Sequence, residues 1–214
     1  MISQVFVQSY KDFPYNEKEI LRYAGCKEAD SDSAIVNLMR ECTDEVSGLS
    51  ACTFNLCYRI FPIVSMENGL IDFEAVKFQS HDLERCLREC DRAVFMSATL
   101  GQGLDRIIRK YNRTEPSKAL FMQAIGAERV ETMLDYFCKE LPGMIEAITG
   151  EEGIMTRPRY SPGFGDLSLS VQPEFLKMVD ANKRLGISLS DGYLMSPSKS
   201  VTAIIGIYAK KRNE

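Results

Sequence analysis

Histidine is almost missing from this sequence: among 214 residues, His81 is the only one. A Ser-His-Asp hydrolase would have to use it, and no Gly-x-Ser-x-Gly elbow accompanies it. His81 is therefore read as an exposed first-turn residue behind a helix cap at Ser80. Paired cysteines are missing too. The seven cysteines, at 26, 42, 52, 57, 86, 90 and 138, are odd in number and contain no Cys-x-x-Cys pair. A chain of this length buries a core without disulfides, so a reducing cytoplasm is the simplest setting. Cys86 and Cys90, four apart, would share a helix face as two metal ligands do. With no second pair at ligand spacing they are assigned to the core beside Leu83 and Leu87, and a metal-free protein is expected. No apolar run approaches 18 residues, and Met1–Tyr10 has neither a basic leader nor a small-residue cleavage site. Neither a membrane span nor secretion is expected.

Basic charge is also short. The chain carries 26 Lys and Arg against 30 Asp and Glu, a net charge of −4, which argues against a dedicated nucleic-acid binder. A phosphate-binding Gly-x-x-x-x-Gly-Lys-Ser/Thr loop is absent, and Pro197-Ser-Lys-Ser200 has no glycine-rich cradle before it. Val94–Gly103 resembles the start of a dinucleotide loop, since Gly101-Gln-Gly103 follows an apolar run. The third glycine position falls on Arg106 and no βαβ repeat follows. A flexible helix start accounts for both glycines.

The elements that are present alternate between two periods. Asn16 caps a short helix through Ile20, Leu21 and Ala24 that Gly25 stops. Ile35, Leu38, Met39, Cys42 and Val46 recur at helical spacing between Ser33 and Val46. Cys52–Phe61 is aromatic and alternating, as strands are. Asn68-Gly69 between Ile63-Val64 and Leu70-Ile71 signals a hairpin. Ser80 caps a helix carrying Leu83, Cys86, Leu87 and Cys90. A buried strand follows at Ala93–Ala98, then a helix marked by Leu104, Ile107, Ile108 and Tyr111. Pro116 suits the first turn of a long helix to about Leu141, in which Gly126 implies a break or a close packing contact. A loop from Gly150 to Asp166, a helix at Phe175–Ala181, and strands at Ile187–Leu189 and Val201–Tyr208 complete the chain. Hairpins mixed with helices, with no linker or repeat, favour one α+β domain over residues 1–214, with a largely antiparallel sheet and flanking helices.

One stretch is more constrained than a connection requires. Arg157-Pro-Arg-Tyr-Ser-Pro-Gly-Phe-Gly-Asp166 packs two arginines, two prolines and two glycines into ten residues. The planar fork of arginine matches a carboxylate. Glycine lets a ligand approach the main chain, and proline stiffens the loop. Such a loop suits a zwitterion bearing a planar base; a rigid surface connection with solvated arginines is the alternative reading of the same residues.

Arg159-Tyr-Ser-Pro-Gly163-Phe164 resembles the Arg-x-x-x-Gly-Tyr signature of the reactivation domain of cobalamin-dependent methionine synthase. Phe175–Leu189 is similar to that family's following helix and strand, and Met195–Gly206 to its closing Pro-x-x-Ser-Val-Ser-Gly strand, especially in short, separately encoded relatives. Asp91–Gly101 resembles its central strand and Ala124-Ile-Gly-Ala-Glu-Arg-Val-Glu131 its long helix. The likeness covers roughly residues 91–208; residues 1–90, read as helices and a hairpin, carry no matching motif.

The resemblance implies a domain that binds S-adenosylmethionine over a corrin, so that cob(II)alamin, reduced by flavodoxin or another one-electron donor, is remethylated. It implies that Arg159 holds the methionine carboxylate, that main-chain groups of Ser161 and Gly163 meet the adenosyl part, and that Phe164 forms an aromatic wall. Glu131 or Asp135 would supply the acid that pairs with the ligand's ammonium. Phe164 lacks the hydroxyl of the family's tyrosine, and Ser190-Asp-Gly192 replaces its Thr-Glu-Ser. The chain has no Asp-x-His-x-x-Gly cobalamin motif, so the corrin would be held by a partner, a methionine synthase lacking its own reactivation domain. Two other functions fit the same residues: a corrinoid-protein interaction module that has lost the ligand, and an independent S-adenosylmethionine-dependent methyltransferase, which would need a base or nucleophile near the loop.

Overall fold

Three neighbouring strands bury side chains on both faces, and this sets the architecture. The computed structural model describes residues 6–10, 13–26, 33–49 and 53–209. Strands β1 (Phe6–Tyr10), β2 (Phe54–Pro62), β6 (Arg92–Thr99), β7 (Ile154–Thr156) and β10 (Ser200–Ala209) form one sheet in the order β1-β2-β6-β10-β7. Every pairing in it is antiparallel. Successive side chains point to opposite faces. Val94, Met96 and Ala98 of β6 therefore join Leu56, Tyr58 and Ile60 of β2 and Ala203, Ile205 and Ile207 of β10 in one core. Ala93 and Phe95 join Cys57, Phe61 and Ile204 in a second core on the opposite face. With both faces covered, Ala93–Met96 of β6 is a continuous apolar run rather than an alternating one.

Helices α1 (Glu17–Tyr23), α2 (Ala34–Ser47), α4 (Gln102–Thr114) and α5 (Pro116–Thr149) supply the first core. Asn16 and Ser33 cap α1 and α2 by accepting from the N–H groups of Glu19 and Val36, and Pro116 opens α5, where its missing donor costs nothing. Gly126 is a packing contact, not a break: a Cβ there would lie 2.6 Å from Leu104 Cδ2 of α4. The opposite face carries a small sheet of β3 (Ser65–Glu67), β4 (Leu70–Asp72) and β5 (Lys77–Gln79). With it pack α3 (His81–Cys86), α6 (Gln172–Met178) and α7 (Ala181–Leu185). Asn68 and Gly69 form the β3–β4 turn at φ 54° and 81°, the geometry a two-residue hairpin demands. Strands β8 (Ser188–Leu189) and β9 (Met195–Ser196) make a two-stranded ribbon.

The architecture is the α+β, largely antiparallel one expected, and residues before 91 contribute β1 and β2 to the main sheet. Several boundaries differ from the sequence reading. Helix α5 does not stop at Leu141; it runs through Pro142 to Thr149, because Leu141 and Ile145 are both fully buried on its core face. The segment 150–166 is not all loop, since β7 pairs with β10 through Thr156↔Ile207. Cys90 is not on the helix of Cys86. Helix α3 ends at Cys86, Glu89 turns the chain at φ 68°, and Cys90 is buried beyond it, so the two do not share a helix face. The helix expected at Phe175–Ala181 breaks at Asp180, which adopts φ 55°. Cys42 and Cys57 lie in the two cores, where burial pushes their thiols up to about 11 and about 12. Cys52 lies outside the described residues. Among the described residues no cluster of three metal-ligating side chains forms, and no helix is long and apolar enough to cross a membrane.

Candidate functional site

The stiff loop begins as an extra rung on the edge of β10. Arg157 N–H donates to Gly206 C=O at 2.9 Å, and Tyr160 and Ile204 exchange both main-chain hydrogen bonds. After Tyr160 the chain leaves the sheet, turned by Pro162. Main-chain groups of an antiparallel strand face alternate neighbours. Those of Thr202 therefore point to the same edge as those of Ile204 and Gly206, and among the described residues no strand pairs with them. The result is a gap in the sheet edge, with a backbone donor and acceptor at its wall.

That gap opens into a cleft of about 710 Å³. Its walls come from α5 (Glu131, Leu134), the loop (Arg159, Ser161, Pro162, Phe164), the turn into α6 (Leu169, Gln172), the 193–198 segment (Tyr193, Leu194) and β10 (Val201–Ala203). Apolar surface dominates, with a few polar groups, which is the composition of small-molecule sites. Phe164 and Leu194 are 67% and 69% exposed at the rim, unusual for large apolar side chains.

The loop holds its own shape. Gly163 N–H donates to Leu167 C=O at 2.7 Å, Phe164 N–H to Ser161 C=O at 3.2 Å, and the Tyr160 hydroxyl to Phe164 C=O at 3.0 Å. Gly163 has φ 92°, and a Cβ on it would lie 2.9 Å from Leu169 Cδ2, so backbone conformation and space both require glycine. Asp166 anchors the far end. Its carboxylate accepts from the Ser80 hydroxyl and from the N–H groups of His81 and Asp82 at the start of α3. Those hydrogen bonds, the Ser80 hydroxyl first, hold its carboxyl below the usual carboxylate range.

The two arginines of the loop have different surroundings. Arg157 stacks over the Tyr208 ring at 4.7 Å and donates to Arg88 C=O and Glu89. It is a brace for the turn before β6. Arg159 reaches α5, where Nη2 lies 3.1 Å from Glu131 and 2.8 Å from Asp135. The Cys138 thiol, one turn further along α5, is raised by burial, and the Arg159 guanidinium opposes that rise.

Arg159, Ser161, Phe164 and Glu131 all line the cleft. Two expected residues do not. Asp135 touches Arg159 from outside it, with its side chain 74% exposed. Gly163 shapes the loop from behind, its N–H already engaged by Leu167.

No family model matches the sequence, and no curated protein matches it either. Among solved structures, the crystal structure of the MetH reactivation domain bound to AdoHcy superposes with a TM-score of 0.70 at 11% identity, covering 100% of this chain and 82% of that one. The fold is shared. At that identity the likeness speaks for the architecture alone, and the chemistry rests on the cleft.

Sequence reasoning overlooked the cleft's inner polar pair. The Thr202 hydroxyl donates to Gln172 Oε1 at 3.0 Å, and both residues are almost fully buried. A signal was present: Gln172 lies three residues before Phe175 and seven before Val179, a polar residue on the buried face of its helix. Tyr193 and Leu194 were also missed, because nothing in Ser190-Asp-Gly192 and its flanks shows that the β8–β9 turn folds back over β10.

Proposed function

We propose that the chain binds S-adenosylmethionine in this cleft and acts in trans as a reactivation module for a cobalamin-dependent methionine synthase that lacks such a domain. The observation that carries the reading is the Arg159–Glu131 pair at the mouth of an apolar cleft in the stiff loop. An arginine beside a carboxylate complements an amino-acid zwitterion, the guanidinium taking the carboxylate and Glu131 the ammonium. Phe164, Pro162 and Leu194 offer flat apolar surface to a base, and the open edge of β10 and the Ser161 main chain offer hydrogen bonds. The shared fold with the MetH reactivation domain supports the same reading.

In that role the sulfonium methyl would pass to a reduced cobalt held by another polypeptide, leaving S-adenosylhomocysteine in the cleft. Transfer requires close, oriented approach with water excluded, and the exposed rim around Phe164 and Leu194 would face the corrin. Docking is reversible, because the synthase must readmit its own substrates, and the interface is of the transient, partly polar kind. A one-electron donor such as flavodoxin would supply the reductive step, in the reducing cytoplasm that suits the six free cysteines of the described residues.

Calorimetry with S-adenosylmethionine and S-adenosylhomocysteine tests binding. A wild-type protein that binds neither at millimolar concentration fits instead an interaction module without ligand. Function is tested by incubating inactive cob(II)alamin synthase with a one-electron donor and S-adenosylmethionine, with and without this protein. Turnover regained equally well in its absence removes the assignment.

A further inference from the structure

We infer that Gln172 is a specificity-determining residue that reads the heterocyclic base of the ligand, its side-chain N–H donating to a ring nitrogen; the inference rests on the adenosyl-ligand reading of the cleft. Gln172 is 2% exposed. Its Oε1 is occupied by the Thr202 hydroxyl, and among the described residues its Nε2 makes no hydrogen bond. Five side-chain atoms of the described residues are shut off from solvent without a partner, on Arg59, Arg92, Ser97, Arg157 and Arg159, and Gln172 Nε2 is not one of them. It opens onto the cleft that Gln172 lines.

A buried amide with one end tied and the other open is an oriented donor. A ligand that covers such a donor without offering an acceptor leaves it unsatisfied, which is costly, and a ring nitrogen avoids that cost. The other inner hydroxyls are not available in the same way: Ser198 bonds Asp105, and Ser200 bonds Thr99 and Pro197 C=O.

Its position selects the base over the amino-acid end. Side chains of β10 alternate between faces, so Thr202 belongs with Ile204 on the α6 face, while Arg159 reaches α5 on the other. A ligand lying along the sheet edge with its zwitterion at Arg159 and Glu131 brings its far end to Gln172. Leu169 and Leu194 line the same cleft with apolar surface. A purine offers in-plane ring lone pairs and apolar faces, which match an amide set among such walls.

The experiment is calorimetry of the full chain with S-adenosylhomocysteine and its 1-deaza, 3-deaza and 7-deaza analogues. The same series is run on Gln172→Met and on the double variant Gln172→Met/Thr202→Val, which removes both partners together. One deaza analogue should bind wild type roughly tenfold more weakly than the parent, and that gap should shrink below about twofold in both variants. Full discrimination persisting in a folded variant overturns the inference. So does equal binding of the parent and all three analogues by wild type, which needs no variant to fold. Failure of wild type to bind S-adenosylhomocysteine at all removes the adenosyl reading itself, a different result from binding without discrimination.

Discussion

Two arginine–carboxylate groupings are built on α5 with their glutamates three residues apart, and they have opposite properties. Glu128 and Arg129 face inward. Arg129 donates from Nε and Nη2 to Glu128 at 2.7 Å, and to the Phe13 and Pro14 carbonyls at 2.8 Å, while its guanidinium lies over the Tyr15 ring. Glu128 also accepts from Asn16 N–H and the Thr132 hydroxyl. The pair is buried, with side chains 7% and 1% exposed. It fastens the segment before α1 to α5. Glu131, one turn on, is half exposed and shares Arg159 with the still more exposed Asp135. Partners that cannot be exchanged make a fastening; partners that water already reaches can be exchanged for a ligand's.

Breaking the inward pair should have the largest effect. Glu128→Ala leaves a buried guanidinium without its counter-charge, and about 3–5 kcal/mol of stability should be lost. Urea unfolding measures it, and ligand affinity of the folded fraction should stay within about twofold. A loss under about 1 kcal/mol would show that water or the Phe13 and Pro14 carbonyls satisfy Arg129 alone, and the two groupings would then not differ in kind.

Arg159→Ala should give the mirror image. Its partners are exposed, so stability should change by no more than about 1 kcal/mol. Affinity for S-adenosylmethionine should fall about ten- to a hundredfold, the value of roughly 1.5–3 kcal/mol for a charged hydrogen bond. A variant that melts early and binds normally would make Arg159 a second fastening.

The loop anchor lies between the two in character. The Asp166 carboxyl is held below its ordinary value in the folded protein. Its contribution to stability is therefore complete above the unfolded value near 3.8 and disappears as the pH falls through the lower folded value. Thermal melts of wild type and Asp166→Asn should differ at pH 7 and converge as the pH falls below the lowered folded value. A difference that persists undiminished in acid would assign the effect to the shape of the side chain rather than its charge.

How much of this could be read from the sequence follows from the range of the signals. Caps at Asn16, Ser33 and Ser80, the Asn68-Gly69 turn and the apolar period of α4 are local, and each lies within one or two residues of its expected place. Pro142 misled because a local breaker was overridden by tertiary burial of Leu141 and Ile145. The cleft is less legible still. Arg159, Ser161 and Phe164 could be named because they share one loop, and Glu131 because the family likeness supplied a helix. Gln172, Thr202, Tyr193 and Leu194 meet only when the 193–198 segment folds over the unpaired edge of β10. No pattern within a ten-residue window encodes that meeting. The Glu128–Arg129 fastening was hidden for the same reason, since its partners are the carbonyls of Phe13 and Pro14 at the other end of the chain.

The smallest expected effect is the sharpest test of exchangeable partners. In the free protein Arg159 Nη2 lies 2.8 Å from Asp135, whose side chain is 74% exposed and lies outside the cleft. A ligand carboxylate must share or replace that contact, and it meets the repulsion of a like charge on the way in. Asp135→Asn removes the charge and keeps the shape. Affinity should therefore rise, by about 1.4- to fivefold, the range that exposed ion pairs of roughly 0.2–1 kcal/mol allow. Because both groups are wet, the gain should shrink as salt is raised toward 1 M, where screening acts over about 3 Å. Glu131→Gln should move the opposite way, since it removes the partner of the ligand's ammonium from inside the cleft. Calorimetry of both variants at low and high salt separates the two carboxylates. Weaker binding by Asp135→Asn would mean that Asp135 aims the guanidinium rather than competing for it, and Arg159 would then be held in place from both sides as firmly as Arg129.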